Sequence, residues 1–441
     1  MTFEDLNLNN PLRNALADLE YVNPTPIQRE AFNTIMSGKD VVGVAQTGTG
    51  KTFAYLLPLL RLLKFSTDGQ PRILILVPTR ELVVQVANEA EKLTKYMTAR
   101  VVGVYGGTNI NTQKQNVHEG VDILVATPGR FFDLAMTRAF KLKQLKKLVI
   151  DEVDEMLNLG FRVQLKNVLD LLPERRQNLL FSATLTKEVA SLIDDYFYKP
   201  EKIEIAPHGT PLEQIIQHGF FVPNFNTKSN LLKLLLQSDE AMSKVLVFMR
   251  TKKLADRLHE KISADFPEKI GVIHSNKSQN FRLRMVREFT ENKLSVLIAT
   301  DIIARGLDIS EVSHVVNFDM PDEAADYIHR IGRTGRADQK GIAISFVSEK
   351  EVEYQEAVQT LMNQEITMLP PPEDLEVSKE LIEEEKEKMG GDKFYYKNPN
   401  ISNSKGAFHE KLEKNKKVNR AKEKRQARMA EKRSARRRKK K

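Results

Sequence analysis

The feature that most limits what this chain can fold into is a recurring one: short, unbroken apolar runs rich in β-branched residues, each followed by a stretch with helical spacing. The first series lies at 41–44, 73–77, 101–105, 123–125, 148–150 and 179–181. A run that stays apolar instead of alternating has no solvent face, so strands of this kind belong in a parallel sheet covered by helices on both sides. A second series follows at 219–222, 245–248, 270–273, 296–299, 315–318 and 342–347. The chain is therefore expected to be an α/β protein with two parallel-sheet units in tandem. Between them Pro200, Pro207 and His208-Gly209-Thr210-Pro211 break regular structure. The expected division is a first unit at 1–206, a linker at 207–212 and a second unit at 213–365.

Beyond Glu365 the texture changes. Pro370-Pro371-Pro372 stops regular structure, 373–388 holds 8 acidic and 3 basic residues, and Gly390-Gly391 breaks any helix formed there, so 366–400 reads as an acidic Pro/Gly connector. Residues 401–441 hold 18 Lys and Arg against 4 Asp and Glu, a net of +14. The whole chain carries +9, which leaves −5 for residues 1–400. Basicity thus belongs to a tail, expected to be disordered when free because so charged a composition cannot bury a core, and suited to a polyanionic partner. There is no cysteine, which excludes disulfides, a thiol nucleophile and cysteine-ligated metal. Residues 1–10 are polar and acidic, and no apolar run reaches about 18 residues. Neither a signal peptide nor a spanning helix is expected, and the cytoplasm is the expected compartment.

Ala45-Gln46-Thr47-Gly48-Thr49-Gly50-Lys51-Thr52 follows the run at 41–44 and precedes an apolar helical stretch at 53–63. Glycines let backbone N–H groups converge on phosphate oxygens, and the helix N-terminus adds its dipole. Lys51 would reach the β- and γ-phosphates of a nucleoside triphosphate, and the Thr52 hydroxyl would hold Mg²⁺. Ala45 stands where the general pattern has Gly. A bare string of this kind can also be an ordinary glycine-rich turn; the strand–loop–helix setting favours the phosphate site. Asp151-Glu152-Val153-Asp154 follows the run at 148–150, at a strand end of the kind where open α/β sheets bind ligands. Alone, an acidic quartet there is more often a loop or helix cap. Beside the Lys51 loop it becomes a hydrolysis pair, one carboxylate serving the metal and the next orienting or deprotonating water.

In their order these strings resemble the DEAD-box RNA helicases of helicase superfamily two, in a bacterial style, over roughly residues 3–350. The resemblance implies two RecA-like domains and an adenine-reading segment ahead of the phosphate loop. That segment is Phe3 together with Glu20-Tyr21-Val22-Asn23-Pro24-Thr25-Pro26-Ile27-Gln28, where Gln28 would bond the adenine edge and Tyr21 stack on the ring. Glu20 stands where the family has Gly. The implied ATP site is then Phe3, Tyr21, Gln28, Ala45, Gln46, Thr47, Gly48, Thr49, Gly50, Lys51 and Thr52, with Asp308 at the ribose. Pro78-Thr79-Arg80-Glu81-Leu82, Gly106-Gly107 and Thr127-Pro128-Gly129-Arg130 match first-domain nucleic-acid motifs, implying RNA contacts from Thr79, Arg80, Gly106, Gly107, Thr127, Gly129 and Arg130. Such contacts meet the sugar–phosphate backbone and fix position without reading bases. Ser182-Ala183-Thr184 matches the motif that couples the carboxylates to domain closure, giving a coupling set of Asp154, Ser182, Thr184 and His329. Val153 replaces the family's Ala, while Asp151, Glu152 and Asp154 are kept, so ATPase chemistry is expected to survive.

In the second unit Val247-Phe248-Met249-Arg250-Thr251 resembles a strand-end RNA motif carrying Arg250. Gln279 and Arg282 fit a Gln-x-x-Arg pattern that implies RNA contacts from both, with Ser275-Asn276 in place of the family's usual Gly-Asp. Ala299-Thr300-Asp301 and Ala304-Arg305-Gly306-Leu307-Asp308 imply an RNA contact from Thr300. His329-Arg330-Ile331-Gly332-Arg333-Thr334-Gly335-Arg336 is the most specific string and implies arginine fingers at Arg333 and Arg336. The implied catalytic set is Lys51, Asp151, Glu152, Arg333 and Arg336, complete only when both domains close around ATP. Mg²⁺ would be held by Thr52 and by Asp151, partly through water.

The activity so implied is ATP-dependent unwinding of short RNA duplexes, or remodelling of RNA–protein complexes, by local strand bending and two-domain closure. The implied partner is RNA, single-stranded or as a short duplex, with ribosomal RNA and ribonucleoprotein assemblies among the candidates; no membrane contact is expected, and the chain is expected to be a monomer. Two rivals stand beside this reading: an RNA chaperone or assembly scaffold acting mainly through the basic tail, and a processive DNA translocase. The intact Lys51, Glu152, Arg333 and Arg336 set argues against the first, and the adenine-reading segment against the second.

Overall fold

The structure, a computed structural model, describes residues 2–45, 49–205, 215–301, 309, 312–335 and 341–386. Two sheets of seven strands organise it. The first contains β1 (Val41–Val44), β2 (Ile73–Leu76), β3 (Val101–Val104), β4 (Ile123–Ala126), β5 (Lys147–Asp151), β6 (Gln177–Ser182) and β7 (Glu201–Glu204), in the order β3-β4-β2-β5-β6-β1-β7. The second contains β8 (Ile215–Phe221), β9 (Val245–Met249), β10 (Ile270–Ile273), β11 (Val296–Thr300), β12 (His314–Asn317), β13 (Gly341–Val347) and β14 (Thr367–Leu369), in the order β10-β11-β9-β12-β13-β8-β14. Every pairing is parallel. These are the two parallel-sheet units expected from the apolar runs, and they fit the RecA-like domains that the resemblance implies.

Both faces of each sheet are covered, which is why the runs do not alternate. In β2, Ile73 and Ile75 enter one cluster with Phe32, Tyr55 and Val83, while Leu74 and Leu76 enter another with Phe131, Leu134 and Leu165. β9 repeats the arrangement, Val245, Val247 and Met249 on one side and Leu246 and Phe248 on the other. Full burial of such side chains contributes about 1.5–3 kcal/mol each, and a polar residue in any of these places would forfeit that term.

Two strands lie outside the apolar-run series, and both are sheet edges. β7 reads Glu-Lys-Ile-Glu, largely exposed, with Ile203 alone packed on the core. Charged edges discourage pairing with other chains, and a strand built that way has no apolar run to detect. β14 pairs with β8 and lies within the stretch read from sequence as connector. Residues 370–386 then continue across the second domain as a docked strap. Asn224, Asn226 and Asn230 donate their side-chain amides to the carbonyls of Ser378 (2.7 Å), Glu380 (2.8 Å) and Glu376 (2.9 Å). Leu375 and Ile382 pack against the core, and Glu384 pairs with Lys253 (2.7 Å) and Arg257 (2.8 Å). Side-chain amides thereby satisfy carbonyls that have no sheet partner. The linker at 207–212 and residues 387–441 lie outside the described residues. Among the described residues no helix is long and apolar enough to cross a membrane.

Candidate active site

Strand order sorts the motifs into groups that chain order interleaves. In the first sheet β3, β4 and β2 are neighbours, and beyond their carboxyl ends come Gly106-Gly107, Thr127 with Gly129 and Arg130, and Thr79 with Arg80. β5, β6 and β1 are also neighbours, leading into Asp151 and Glu152, Ser182 and Thr184, and the loop to Lys51. In the second sheet β10, β11 and β9 stand together and lead to Gln279 and Arg282, Thr300, and Arg250, while His329 and Arg333 fall between β12 and β13. Open parallel sheets bind ligands off the carboxyl ends of their strands, and here that edge is split between the expected ATP residues and the expected RNA residues.

At the end expected to bind nucleotide, Phe3 is buried and its N–H donates to the Val22 carbonyl at 3.0 Å, pinning the loop that carries Tyr21. Tyr21 is exposed and meets the Phe53 ring edge-on at 5.3 Å. Glu20 has φ +58°. That left-handed conformation costs a side chain roughly 1–2 kcal/mol and glycine almost nothing, a steric reason for the glycine expected there. Gln28 accepts from the Thr25 N–H at 3.0 Å and donates its Nε2 to the Gly50 carbonyl at 3.1 Å, so the expected adenine reader is tied to the phosphate loop. Gly50 itself has φ +85°, and a Cβ there would collide with Gln28. The buried Lys51 Nζ reaches the Ala45 carbonyl at 3.0 Å, and the Ala45 N–H donates to the Ser182 carbonyl at 3.1 Å. Thr49, Gly50 and Thr52 complete the described part of the loop; Gln46, Thr47, Gly48, Asp308 and Arg336 lie outside the described residues.

Asp151 ends β5 and is buried. Its Oδ1 accepts from the Glu152 N–H at 3.0 Å and its Oδ2 from the Tyr55 hydroxyl at 3.0 Å. Burial pushes the Asp151 carboxyl up in pKa, against the Lys51 ammonium, and burial with the Asp151 charge pushes the Tyr55 phenol well above 10. Glu152 caps the helix Val153–Asn158 at φ +52° and ψ 49°. A non-glycine residue held there stores on the order of 1–3 kcal/mol, strain that clusters at functional sites. Its Oε2 is shut off from solvent with no hydrogen-bond partner among the described residues. Burial lifts Glu152 to about 7, with the Asp151 charge adding and the Lys51 and Arg333 charges opposing. A strained, water-poor carboxyl near neutrality has the profile of a general base.

Asp154 joins these acids to the turn after β6. Its Oδ2 accepts from the Ala183 N–H (3.2 Å), the Thr184 N–H (2.9 Å) and the Thr184 hydroxyl (2.9 Å), and the Ser182 hydroxyl donates to the Thr184 carbonyl (2.7 Å). From the second domain His329 Nε2 comes within 3.5 Å of Glu155 Oε1, and the Arg333 charge reaches Glu152. Arg282 crosses as well, pairing with Glu81 at 2.7 Å with both side chains buried, and it also donates to Gln279 Oε1. Arg330 is buried and bidentate on Asp301 at 2.6 and 2.7 Å, which fixes the helix Ala324–Ile331 that carries His329.

Among the expected RNA contacts, the Thr79 hydroxyl caps the helix Arg80–Leu93 by accepting from the Leu82 N–H at 3.2 Å. Gly107 has φ +78° and lies against the Arg80 guanidinium, so both backbone and space demand glycine; Gly106 and Gly129 have open space beside them. Thr127 is buried at its strand end, and Arg130 is engaged with Gln113 Oε1 (2.7 Å) and the Thr108 carbonyl (3.0 Å), holding the loop after Gly107. Arg250 donates to the Met320 carbonyl at 3.2 Å and stacks on Tyr354 at 5.1 Å, in front of a buried Lys228–Glu351 pair at 2.6 Å. Arg250 and Thr300 share with Thr184 and His329 a cleft of about 1090 Å³. Tyr55, Glu155 and Glu351 carry no role in the motif strings. Tyr55 stands four residues past Lys51 and Glu155 directly follows Asp154, so spacing from a motif residue was the available signal; Glu351 has no local one.

Residues 25–192 match the model of the DEAD/DEAH box helicase family, and residues 227–338 that of the helicase conserved C-terminal domain. The chain is 38% identical over 372 residues to the ATP-dependent RNA helicase RhlB of Shewanella sediminis, spanning 82% of this chain and 85% of that protein. Against RhlB of Shewanella woodyi it is 39% identical over 357 residues, spanning 79% and 80%. Among solved structures, S. cerevisiae Dbp5 bound to RNA and ADP BeF3 gives a TM-score of 0.77 at 30% identity, covering 84% of this chain and 96% of that one. Mss116p bound to ssRNA and AMP-PNP gives 0.75 at 28% identity, covering 84% and 79%. Both domain models match in order, the identity runs through most of each chain, and the motifs stand at the carboxyl edges of two RecA-like sheets: the chain belongs to the DEAD-box ATP-dependent RNA helicases.

Proposed function

We propose that this chain is an RNA-stimulated ATPase that unwinds short RNA duplexes, or remodels RNA–protein complexes, by closing its two domains on ATP and bending one RNA strand. The observation that carries the reading is that the two domains meet at the carboxylates: His329 Nε2 of the second lies 3.5 Å from Glu155 Oε1 of the first, and the Arg333 charge opposes the upward shift of Glu152. Gln28 and Tyr21 select adenine, and Lys51 balances phosphate charge. Glu152 takes a proton from water as its oxygen attacks the γ-phosphorus; the bond to the bridging oxygen breaks, and ADP leaves with the electron pair while Arg333 and Arg336 offset the charge. Asp154, bonded to the turn at Ser182 and Thr184, and His329 beside Glu155 relay the state of the site to the domain interface.

The donors near the phosphate loop suit a hard divalent cation: the Asp151 carboxylate and the Thr52 hydroxyl are oxygen ligands, few in number, as magnesium takes when waters and substrate phosphates complete its shell. Bound with ATP, magnesium would neutralise charge developing on the β- and γ-phosphate oxygens. Because a base acts only when ionised, kcat/KM for ATP at saturating RNA should rise close to tenfold per pH unit up to about 7 and level off above it. A flat profile from about pH 6 to 8 would remove Glu152 from the base role.

Thr79, Gly107, Thr127, Arg250 and Thr300 stand where strand ends meet a sugar–phosphate backbone, and contact with 2′-hydroxyls makes RNA the preferred strand. The tail's net +14 acts as a tether. Deleting residues 401–441 should flatten the salt dependence of RNA binding, each phosphate neutralised contributing roughly −0.7 to the log–log slope. The apparent KM for RNA should rise while RNA-independent hydrolysis stays near the full-chain rate; an unchanged salt slope would rule the tether out. Ribosomal RNA and ribonucleoproteins are candidate substrates, and a cysteine-free chain working on ATP and RNA suits the reducing cytoplasm, where we place it. The test is release of a labelled strand from a short RNA duplex. ATP-dependent release supports the reading, whereas ATP-independent annealing without such release would make the chain an RNA chaperone acting through its tail.

A further inference from the structure

Tyr55 sits four residues past Lys51 and three past Thr52 on the helix Lys51–Leu62, hence next to each of them on the helix surface. It is fully buried, and its hydroxyl donates to Asp151 Oδ2 at 3.0 Å. Asp151 Oδ1 is held separately by the Glu152 N–H at 3.0 Å, so both carboxylate oxygens are anchored and the carboxylate plane is set. The ring rests against Phe181 at 5.4 Å, and Phe181 has its place because residue 43 is glycine, where a Cβ would stand 2.6 Å from the Phe181 ring. Packing alone would be met by phenylalanine, and a buried hydroxyl is costly unless bonded. The hydroxyl therefore calls for a role that the ring does not explain.

We propose that Tyr55 is a positioning residue, whose hydroxyl anchors Asp151 Oδ2 and so fixes the Asp151 carboxylate for magnesium. The inference rests on the proposed metal role of Thr52 and Asp151 and extends it to a third side chain. Groups that orient a metal ligand from behind typically cost 10- to 100-fold in metal affinity when removed, so roughly a tenfold effect is expected here.

The experiment compares Tyr55→Phe with the unaltered full chain by binding of a fluorescent non-hydrolysable ATP analogue, titrated with Mg²⁺ and repeated in EDTA, with a thermal melt alongside. Tyr55→Phe should raise the Mg²⁺ concentration at half-maximal binding roughly tenfold and leave affinity in EDTA unchanged. No shift in the Mg²⁺ midpoint overturns the proposal, and so does an equal loss of affinity with and without Mg²⁺, which would mark general disruption. Asp151→Asn is measured in parallel. If it too leaves the Mg²⁺ dependence intact, the metal reading of Asp151 itself fails; if it abolishes that dependence while Tyr55→Phe changes nothing, the role of Tyr55 alone is overturned.

Discussion

Glu152→Gln is expected to lower RNA-stimulated kcat by roughly 10²–10⁴, the usual worth of a positioned general base, while ATP and RNA remain bound together. Glutamine matches the shape of the side chain, leaves the Glu152 N–H bond to Asp151 in place and accepts the same left-handed backbone; what it lacks is an oxygen that can take a proton. The expected stability change runs the other way from the activity change. In the folded chain the carboxyl titrates at about 7, against 4.5 for an unperturbed glutamate. At pH 8 it is ionised whether folded or unfolded, so burying it costs on the order of 3 kcal/mol, a cost that fades as pH falls through 7 and vanishes below the unfolded value. Removing the charge should therefore leave the melting temperature at pH 8 unchanged or higher. A stable, ligand-binding and inactive variant cannot be explained as a misfolded one. Turnover near the unaltered rate would take Glu152 out of the chemistry.

Arg333→Ala should reduce RNA-stimulated hydrolysis by roughly 10³–10⁵, the range attributed to arginine fingers, with nucleotide affinity measured by fluorescence little changed. The residue is buried on the second domain, beyond the helix Ala324–Ile331 that Arg330 anchors through Asp301, so the substitution reaches the charge without dismantling its support. Arg333→Lys should rescue little, because lysine keeps the charge and loses the rigid fork. A second readout separates electrostatics from packing: Arg333 lowers the pKa of Glu152, so its loss should move the residual pH–rate profile to higher pH. Full RNA stimulation in the alanine variant would refute catalysis across the domain boundary.

The two parallel sheets were legible because unbroken apolar runs leave a strand nowhere to go but a doubly covered sheet, and the motif strings were legible because glycines, threonines and acids at strand ends have few other uses together. The strand order was not. Nothing in the runs states that β3, β4 and β2 lie side by side, yet that neighbourhood separates Thr79, Gly107 and Thr127 from Asp151 and Lys51. Edge strands escaped for the opposite reason: Glu201–Glu204 is polar because it faces water. The docking of 370–386 depends on Asn224, Asn226 and Asn230, which lie some 150 residues earlier and carry no local signal as carbonyl partners. Pairings across the domain boundary, such as Arg282 with Glu81, are likewise properties of the assembled chain. The left-handed Glu152 is the sharpest case, since propensity argues against a glutamate at φ +52° and the site places one there.

If the catalytic set is divided between two domains, hydrolysis depends on RNA, and the ATPase rate of the full chain tests this when measured with no nucleic acid, with a single-stranded RNA, and with DNA of the same sequence. A low basal rate, strong stimulation by RNA and little by DNA are expected. Equal stimulation by both strands, or a basal rate that RNA leaves unchanged, would contradict that dependence.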